Sequence, residues 1–135
     1  ALQIESGVVI KANADGKLTV NGGLMVQGNG NEPVIFTSIH DDSFGGDTNQ
    51  KLQEARPGDW VGIEANAEAT LTFDEAAIRY AQTGLSLRGD VIPEVNGRLL
   101  VTNSQRALWC NERSEMPDTF IAEQNEDNYR QCPNE

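Results

Sequence analysis

The chain of 135 residues has little of what several classes of protein require. It has one histidine and two cysteines, Cys110 and Cys132. The cysteines form no C-x-x-C pair and do not cluster with the histidine, so we do not expect a structural zinc site. No apolar run approaches the ~18 residues that would span a bilayer, which argues against membrane insertion. A long amphipathic helix is also missing, because the best candidate, residues 73–82, lacks a cap.

Positive charge is scarce as well. Ten lysines and arginines face 21 acidic residues, for a formal net charge of −11 at pH 7. A surface of this sign repels phosphate backbones, so we expect no nucleic-acid partner, and it repels uronic-acid polymers unless cations bridge the two. The length suits one domain. The chain lacks an initial methionine and a visible signal peptide, so we interpret it as a processed form or a piece of a longer protein.

Short strand-like runs follow one another from end to end, and most of them alternate apolar and polar residues. Similar runs recur at a spacing of roughly 20 residues. "GLSLR" and "ALWCN", which begin at Gly84 and Ala107, are 23 residues apart, and the runs that begin at Gly7 and Gly23 are 16 residues apart. Such a period, with no room for a helix, predicts an all-β parallel β-helix of about five to six coils. The alternative is an antiparallel sandwich or jelly roll. Two inward columns are expected, Val8/Leu24/Val61/Leu85 and Val20/Phe36/Phe73/Val101.

The two cysteines lie 22 residues apart, which is one coil of the predicted solenoid. Adjacent rungs are about 4.8 Å apart, and the Cα atoms of a disulfide are usually roughly 4.4–6.8 Å apart. We therefore expect a Cys110–Cys132 bridge, formed in an oxidising compartment, with two free thiols as the alternative. We therefore predict two parts, β-helix coils at residues 1–110 and an acidic C-terminal cap at residues 111–135 that the disulfide ties to the coils.

The first half of the chain resembles the coils of bacterial secreted right-handed parallel β-helix proteins, the pectin-lyase-like superfamily. The matching residues are Ile4, Gly7, Val9, Ile10, Lys11, Leu18, Val20, Gly22, Leu24, Gly28, Pro33, Ile35, Phe36, Thr37 and Ser38, then Asp41, Asp42, Gly45, Gly46, Asp47 and Asn49, and then residues 57–63. The resemblance implies this fold and a secreted or cell-surface location. It does not decide activity, because the superfamily includes lyases, hydrolases and non-catalytic stalks.

An insertion at residues 39–58 interrupts the strand pattern and carries most of the candidate chemistry. Its oxygen ligands, Asp41, Asp42, Asp47, Asn49 and the following Asp59, are of the kind that Ca²⁺ prefers, and Gly45-Gly46 would let the backbone fold back. The spacing is not that of an EF-hand. The alternative is a structural loop with turn-favouring aspartates, neutralised by Lys51 or Arg56.

Aromatic side chains that recur about once per coil suggest glycan contacts at Trp60, Tyr80 and Trp109, although Trp60 could instead cover the insertion. Asp74 and Glu75 do not form a glycosidase pair if strand alternation holds, because neighbouring strand residues point to opposite faces. We therefore expect no catalytic residues and a non-catalytic extracellular module that binds a glycan or a surface partner. The alternatives are a polysaccharide lyase or hydrolase, or a structural stalk. We also expect the first coil to pack on another chain or on preceding material.

Overall fold

A computed structural model describes residues 2–44, 46, 54–89, 91–110 and 116–128. These residues form a parallel β-solenoid of about five coils and contain no helix, which confirms the predicted fold class. No helix among them is therefore long and apolar enough to cross a membrane. The eleven strands are β1 (Leu2–Glu5), β2 (Val9–Ala12), β3 (Lys17–Val20), β4 (Gly23–Gln27), β5 (Val34–Ser38), β6 (Gly62–Ala65), β7 (Thr70–Arg79), β8 (Thr83–Leu87), β9 (Glu94–Thr102), β10 (Arg106–Cys110) and β11 (Phe120–Glu123).

Each coil contributes to two parallel sheets. The larger sheet contains β1, β2, β4, β5, β7, β9 and β11, and the smaller sheet contains β3, β6, β8 and β10. Leu2 pairs with Leu24, 22 positions on, whereas Leu24 pairs with Leu71, 47 positions on. The second coil is longer because the insertion lies between β5 and β6, as the sequence predicts.

The core consists of columns of inward-facing side chains, and these columns differ from the ones predicted from the sequence. Four completely buried or half-buried residues of the larger sheet, Ile10, Phe36, Ile78 and Val101, follow one another from coil to coil. In the smaller sheet the column is Leu18, Ile63, Leu85 and Leu108. The first predicted column is therefore wrong, and in the second only Phe36 and Val101 share a column. Both predicted columns used the 16-residue spacing of Gly7 and Gly23, which compares strands from different sides of the coil.

Strands β7 and β9 each run through a corner that is a loop in the first two coils. Residues 73–79 of the helix candidate belong to β7 instead, since buried and half-buried positions alternate from Ala76 to Arg79 and the strand has parallel neighbours on both edges. Pairing shifts between Phe73 and Glu75, and Gly97 of β9 has a φ of +105° beside this bulge. A Cβ atom on Gly97 would lie 2.5 Å from the Asp74 carbonyl oxygen, so a side chain there is sterically excluded.

The bulge also overturns the alternation argument for Asp74 and Glu75. Phe73 and Ala76 are both buried in the core, and the two acidic residues between them are both half-buried. The irregular pairing interrupts the two-residue period at this point, so alternation does not place Asp74 and Glu75 on opposite faces.

In the last three described coils, the second corner is built from left-handed residues and a buried polar network. Tyr80, Asn103 and Gln124 follow β7, β9 and β11 with φ values of +62°, +55° and +60°. After this corner, Ser104 is completely buried, and its hydroxyl accepts a hydrogen bond from the Ala81 amide at 3.0 Å. The side chain of Asn125 accepts from the Ser104 amide and donates to the Val101 carbonyl, both at 2.8 Å. These bonds tie the last coil to the one before it.

The predicted C-terminal cap supplies β11, which pairs with β9 as a further rung. Cys110 is buried at the end of β10, above Leu87. Cys132 lies outside the described residues, so its pairing with Cys110 stays a prediction.

Candidate binding site

The insertion leaves and rejoins the solenoid at neighbouring points. Ser38, the last residue of β5, donates its hydroxyl hydrogen to Asp59 Oδ2 at 2.8 Å. The same carboxylate oxygen accepts from the Arg56 amide at 3.0 Å, which fixes the exit of the loop. Farther out, Lys11 of β2 donates from Nζ to the Gly46 carbonyl at 2.5 Å. The loop is therefore folded back over the outer face of the larger sheet.

Asp41 is the most buried charged group of this loop. Only 3% of its surface is exposed. Thr37 donates to its Oδ2 at 2.6 Å, the Ser43 amide donates to its Oδ1 at 3.0 Å, and Arg79 Nε lies 3.5 Å from Oδ2. Thr37 and Arg79 each directly follow the paired residues Phe36 and Ile78, so the register of β5 and β7 brings them together.

These contacts determine the charge state of Asp41. Burial alone would raise the pKa of the carboxyl group, because a charge is disfavoured away from water. The hydrogen bonds from Thr37 and Ser43 and the positive charge of Arg79 outweigh burial and lower the pKa below its ordinary value of 3.8. Asp41 is thus an ionised carboxylate at neutral pH, and it serves as an anchor for the loop.

Arg79 connects the anchor to a group of aromatic residues. Its guanidinium carbon lies 4.7 Å from the ring centre of Phe44 and 5.3 Å from that of Tyr80, within the range of cation–π contacts. Trp60 donates from Nε1 to the Arg79 carbonyl at 2.7 Å. Arg79 consequently joins the loop, β7 and the corner that follows β7, and the Tyr80 ring lies beside its guanidinium group.

A cleft of about 740 Å³ opens beside this point. It is lined by one aromatic ring and several polar groups: His40, Asp41, Asp42, Ser43, Glu54, Ala55 and Tyr80. Asp42, Ser43 and Glu54 are exposed, so their polar atoms are accessible to a bound molecule, whereas Asp41 is buried beneath them. The cleft combines a rigid aromatic group with hydrogen-bonding side chains on a fixed scaffold.

The predicted calcium ligands are only partly placed. Asp41 and Asp59 already accept hydrogen bonds from protein donors, and Asp47 and Asn49 lie outside the described residues. Among the residues that the structure describes, no group of three or more His, Cys, Asp or Glu side chains is arranged to hold a metal ion. A calcium site stays a prediction, which a calorimetric Ca²⁺ titration would test.

The three aromatic residues predicted to contact a glycan lie in different environments. Trp60 is 2% exposed and belongs to the core, at a corner where it pairs with Ala81. Tyr80 is half-buried and lines the cleft. Trp109 is half-buried on the outer face of the smaller sheet, where the Arg88 guanidinium lies 5.3 Å from the centre of one of its rings. The structure therefore does not bring them together into a single platform.

Sequence reasoning missed Thr37 and Arg79 as partners of Asp41, and proposed Lys51 or Arg56 instead. No local motif connects residues 37, 41 and 79. These residues could be found only from the register of β5 against β7. The insertion changes the spacing between these two strands, so a search for a constant period does not reveal their register. Arg56 does contact an aspartate, but through its backbone amide and at Asp59.

The fold is a parallel β-solenoid, and its cleft lies between the insertion loop and the corner at Tyr80. No protein-family model, curated protein or solved structure matches the chain. The resemblance to the pectin-lyase-like superfamily therefore stays a prediction, and the fold class is supported independently by the strand pairing.

Proposed function

We propose that the protein is a non-catalytic extracellular binding module and that a glycan binds in the cleft of the insertion loop. The observation that carries this proposal is the meeting of the Tyr80 ring with the side chains of His40, Asp42 and Glu54 around one cavity. A sugar ring has apolar faces and a rim of hydroxyl groups, so it suits a site that offers one aromatic surface and several hydrogen-bonding groups.

The charge of the site narrows the class of glycan. Asp42 and Glu54 are exposed acidic groups at the cleft, and the chain as a whole carries a net charge of −11. Uronic acids and sulfated sugars would be repelled, because like charges raise the free energy of the complex. Neutral sugars and amino sugars are therefore the expected ligands.

The rigidity of the site supports binding without a large ordering cost. Asp41 and Arg79 fix the loop to β7, and Phe44 packs against the same guanidinium group. Side chains that are already ordered lose less conformational entropy on binding. We assign no catalytic residue, since Asp41 and Asp59, the two buried or loop-closing carboxylates of the described loop, are held by structural donors.

The first prediction concerns Tyr80. We expect binding to neutral or amino-sugar oligosaccharides on a glycan array. In calorimetry, Tyr80→Asn should bind roughly five- to thirtyfold more weakly, since loss of one aromatic contact costs about 1–2 kcal/mol. Asparagine is chosen because it tolerates the left-handed backbone of this position. Trp109→Ala, on the smaller sheet, is the matched control and should bind like the wild-type protein.

Three results would contradict the proposal. A blank array would favour the structural stalk, and shortened oligosaccharides after incubation would favour a lyase or hydrolase. Unchanged binding by a folded Tyr80→Asn variant would move the site away from the cleft. Thermal melting of each variant shows whether it is folded.

A further inference from the structure

A second cleft, of about 620 Å³, lies beside the second corner of the last three described coils. Each of these coils contributes two residues to its lining: Gln82 and Thr83, Gln105 and Arg106, and Glu126 and Asp127. Every described residue of this lining is polar or charged, whereas the cleft of the insertion loop also contains an aromatic ring. The second cleft therefore suits a part of a ligand that donates and accepts hydrogen bonds.

Backbone hydrogen bonds hold the three pairs of lining residues above one another. The Gln105 amide donates to the Ala81 carbonyl at 3.0 Å. The Arg106 amide donates to the Gln82 carbonyl, also at 3.0 Å, and Arg106 forms a parallel bridge with Asp127 of the next coil. Because adjacent coils are about 4.8 Å apart, the cleft presents hydrogen-bonding side chains at this interval along the solenoid.

The chemistry of these side chains matches that of sugar hydroxyl groups. Four of the six side chains are exposed, namely Gln82, Gln105, Arg106 and Glu126. Their amide, guanidinium and carboxylate groups supply both donors and acceptors. One basic and two acidic residues give the lining a formal charge of the same sign as that of the first cleft. Anionic sugars are therefore disfavoured in both clefts.

The two clefts adjoin along both of their walls. The corner forms one wall, where Tyr80 lines the first cleft and Gln82 lines the second. These residues are two positions apart, so their Cα atoms lie at most ~7 Å from each other. The exit of the insertion forms the other wall. Ala55 lines the first cleft, and the Pro57 carbonyl, two positions on, accepts from Gln105 Nε2 of the second cleft at 3.5 Å.

From this geometry we infer that the two clefts form one groove and that its ligand is a linear oligosaccharide. The inference rests on the proposed function, because it extends the glycan site at Tyr80. One sugar unit stacks on the Tyr80 ring. The chain continues past Gln105 and along the coils, where its hydroxyl groups bond to the side chains of the second cleft. Either cleft alone has the size of a site for a small molecule, so the two together accommodate a chain of several units.

Calorimetry with linear oligomers of glucose and of glucosamine tests the groove. In the series that binds, oligomers of four units should bind at least roughly tenfold more tightly than those of two, because the additional units form several hydrogen bonds in the second cleft. Tyr80→Asn should weaken the binding of both lengths, since every chain uses the first cleft.

Gln82→Ala changes a residue that lines only the second cleft. The oligomer of four units should then bind about fivefold more weakly, so that the gain from two to four units falls to roughly twofold. Glu126→Ala, from another coil, should also reduce this gain. Gln27→Ala is the matched control, because it removes an exposed glutamine side chain at the end of β4 and should keep the full gain. Thermal melting shows whether each variant is folded.

The outcomes separate this inference from the proposed function. Equal affinities for two, four and six units, still weakened by Tyr80→Asn, would overturn the groove and leave the glycan site at Tyr80 in place. A gain that survives both Gln82→Ala and Glu126→Ala, or that Gln27→Ala reduces equally, would overturn the groove as well. Absence of binding in either series would overturn it too, and a blank glycan array would overturn the proposed function together with this inference.

Discussion

At the scale of single residues, the carboxylate of Asp41 explains why the insertion is ordered where it leaves the sheet. A buried charge is costly unless several donors replace its hydration. Thr37 of β5 and Ser43 of the loop supply the donors, and Arg79 of β7 supplies a positive charge 3.5 Å away. The residue thus connects a local turn to two strands of neighbouring coils.

The prediction at this scale is that Asp41→Asn destabilises the protein by about 2 kcal/mol at neutral pH. Asparagine has a similar shape but replaces one acceptor oxygen with an NH₂ group, which would face the donors from Thr37 or Ser43. Because the pKa of Asp41 is lowered in the folded state, its contribution is fully present above the unfolded-state value near 3.8 and is lost as the pH falls through the folded-state value.

Urea denaturation at neutral pH and below pH 3.8 measures this difference. The gap in unfolding free energy between wild-type and Asp41→Asn should shrink at the lower pH. Asp42→Asn, at the exposed neighbouring position, should change stability by less than about 0.5 kcal/mol. A gap that stays constant with pH would show that the ionised form of Asp41 is not what stabilises the loop.

At the scale of the strands, alternation and turn residues were sufficient to predict the fold class. The runs at Lys17–Val20 and Gly23–Gln27 were recognised because a strand with one face in a core repeats every two residues. Stacking order was not predictable in the same way. Two features change the number of residues per coil: the insertion, and the single strand β7, which pairs with both β4 and β5. Only the strand pairing in the structure therefore shows which residues lie above one another.

The candidate site was predictable to a similar extent. The loop and Asp41 could be found because clustered aspartates and glycines interrupt a regular pattern. Arg79 could not be assigned as the partner of Asp41, since the two lie 38 positions apart and meet only through the register of β5 and β7. The same limit applies to the Asn125 network, which joins residues of adjacent coils.

The prediction at this scale is that Asn125→Ala loosens the last coil while the rest of the solenoid stays folded. The change removes the bond to Val101 and leaves the amide of the buried Ser104 without its side-chain acceptor. A loss of about 1.5 kcal/mol should make the amides of β11 exchange roughly tenfold faster. Those of β6, three coils away from the change, should be unaffected.

Hydrogen exchange followed by mass spectrometry separates the two strands. Asn96→Ala is the control, because Asn96 also donates from its side chain, but to Asp74 at 3.3 Å on the exposed surface. It should leave β11 protected. Equal acceleration in both variants, or faster exchange throughout the Asn125→Ala protein, would contradict a local role for Asn125.

At the scale of the whole molecule, each coil contacts mainly the coils on either side of it. The stability of such a protein is approximately a sum of coil and neighbour terms, so the end coils are the weakest. The first coil has exposed apolar residues, and the last has one short described strand, β11. We therefore expect the last coil to need an additional constraint, which a covalent bridge would supply.

The last prediction is the Cys110–Cys132 disulfide. A bridge that closes a loop of this length should stabilise the folded protein by on the order of 3 kcal/mol, because it restricts the unfolded chain. Denatured protein that has not been reduced should take up no thiol-alkylating reagent, and reduced protein should take up two equivalents. Cys132→Ser should lower the unfolding free energy by the stated amount, and a reducing agent should abolish the difference from wild-type. Two equivalents of reagent taken up before reduction would exclude the bridge, and the last coil would then depend on the Asn125 hydrogen bonds and the burial of Phe120.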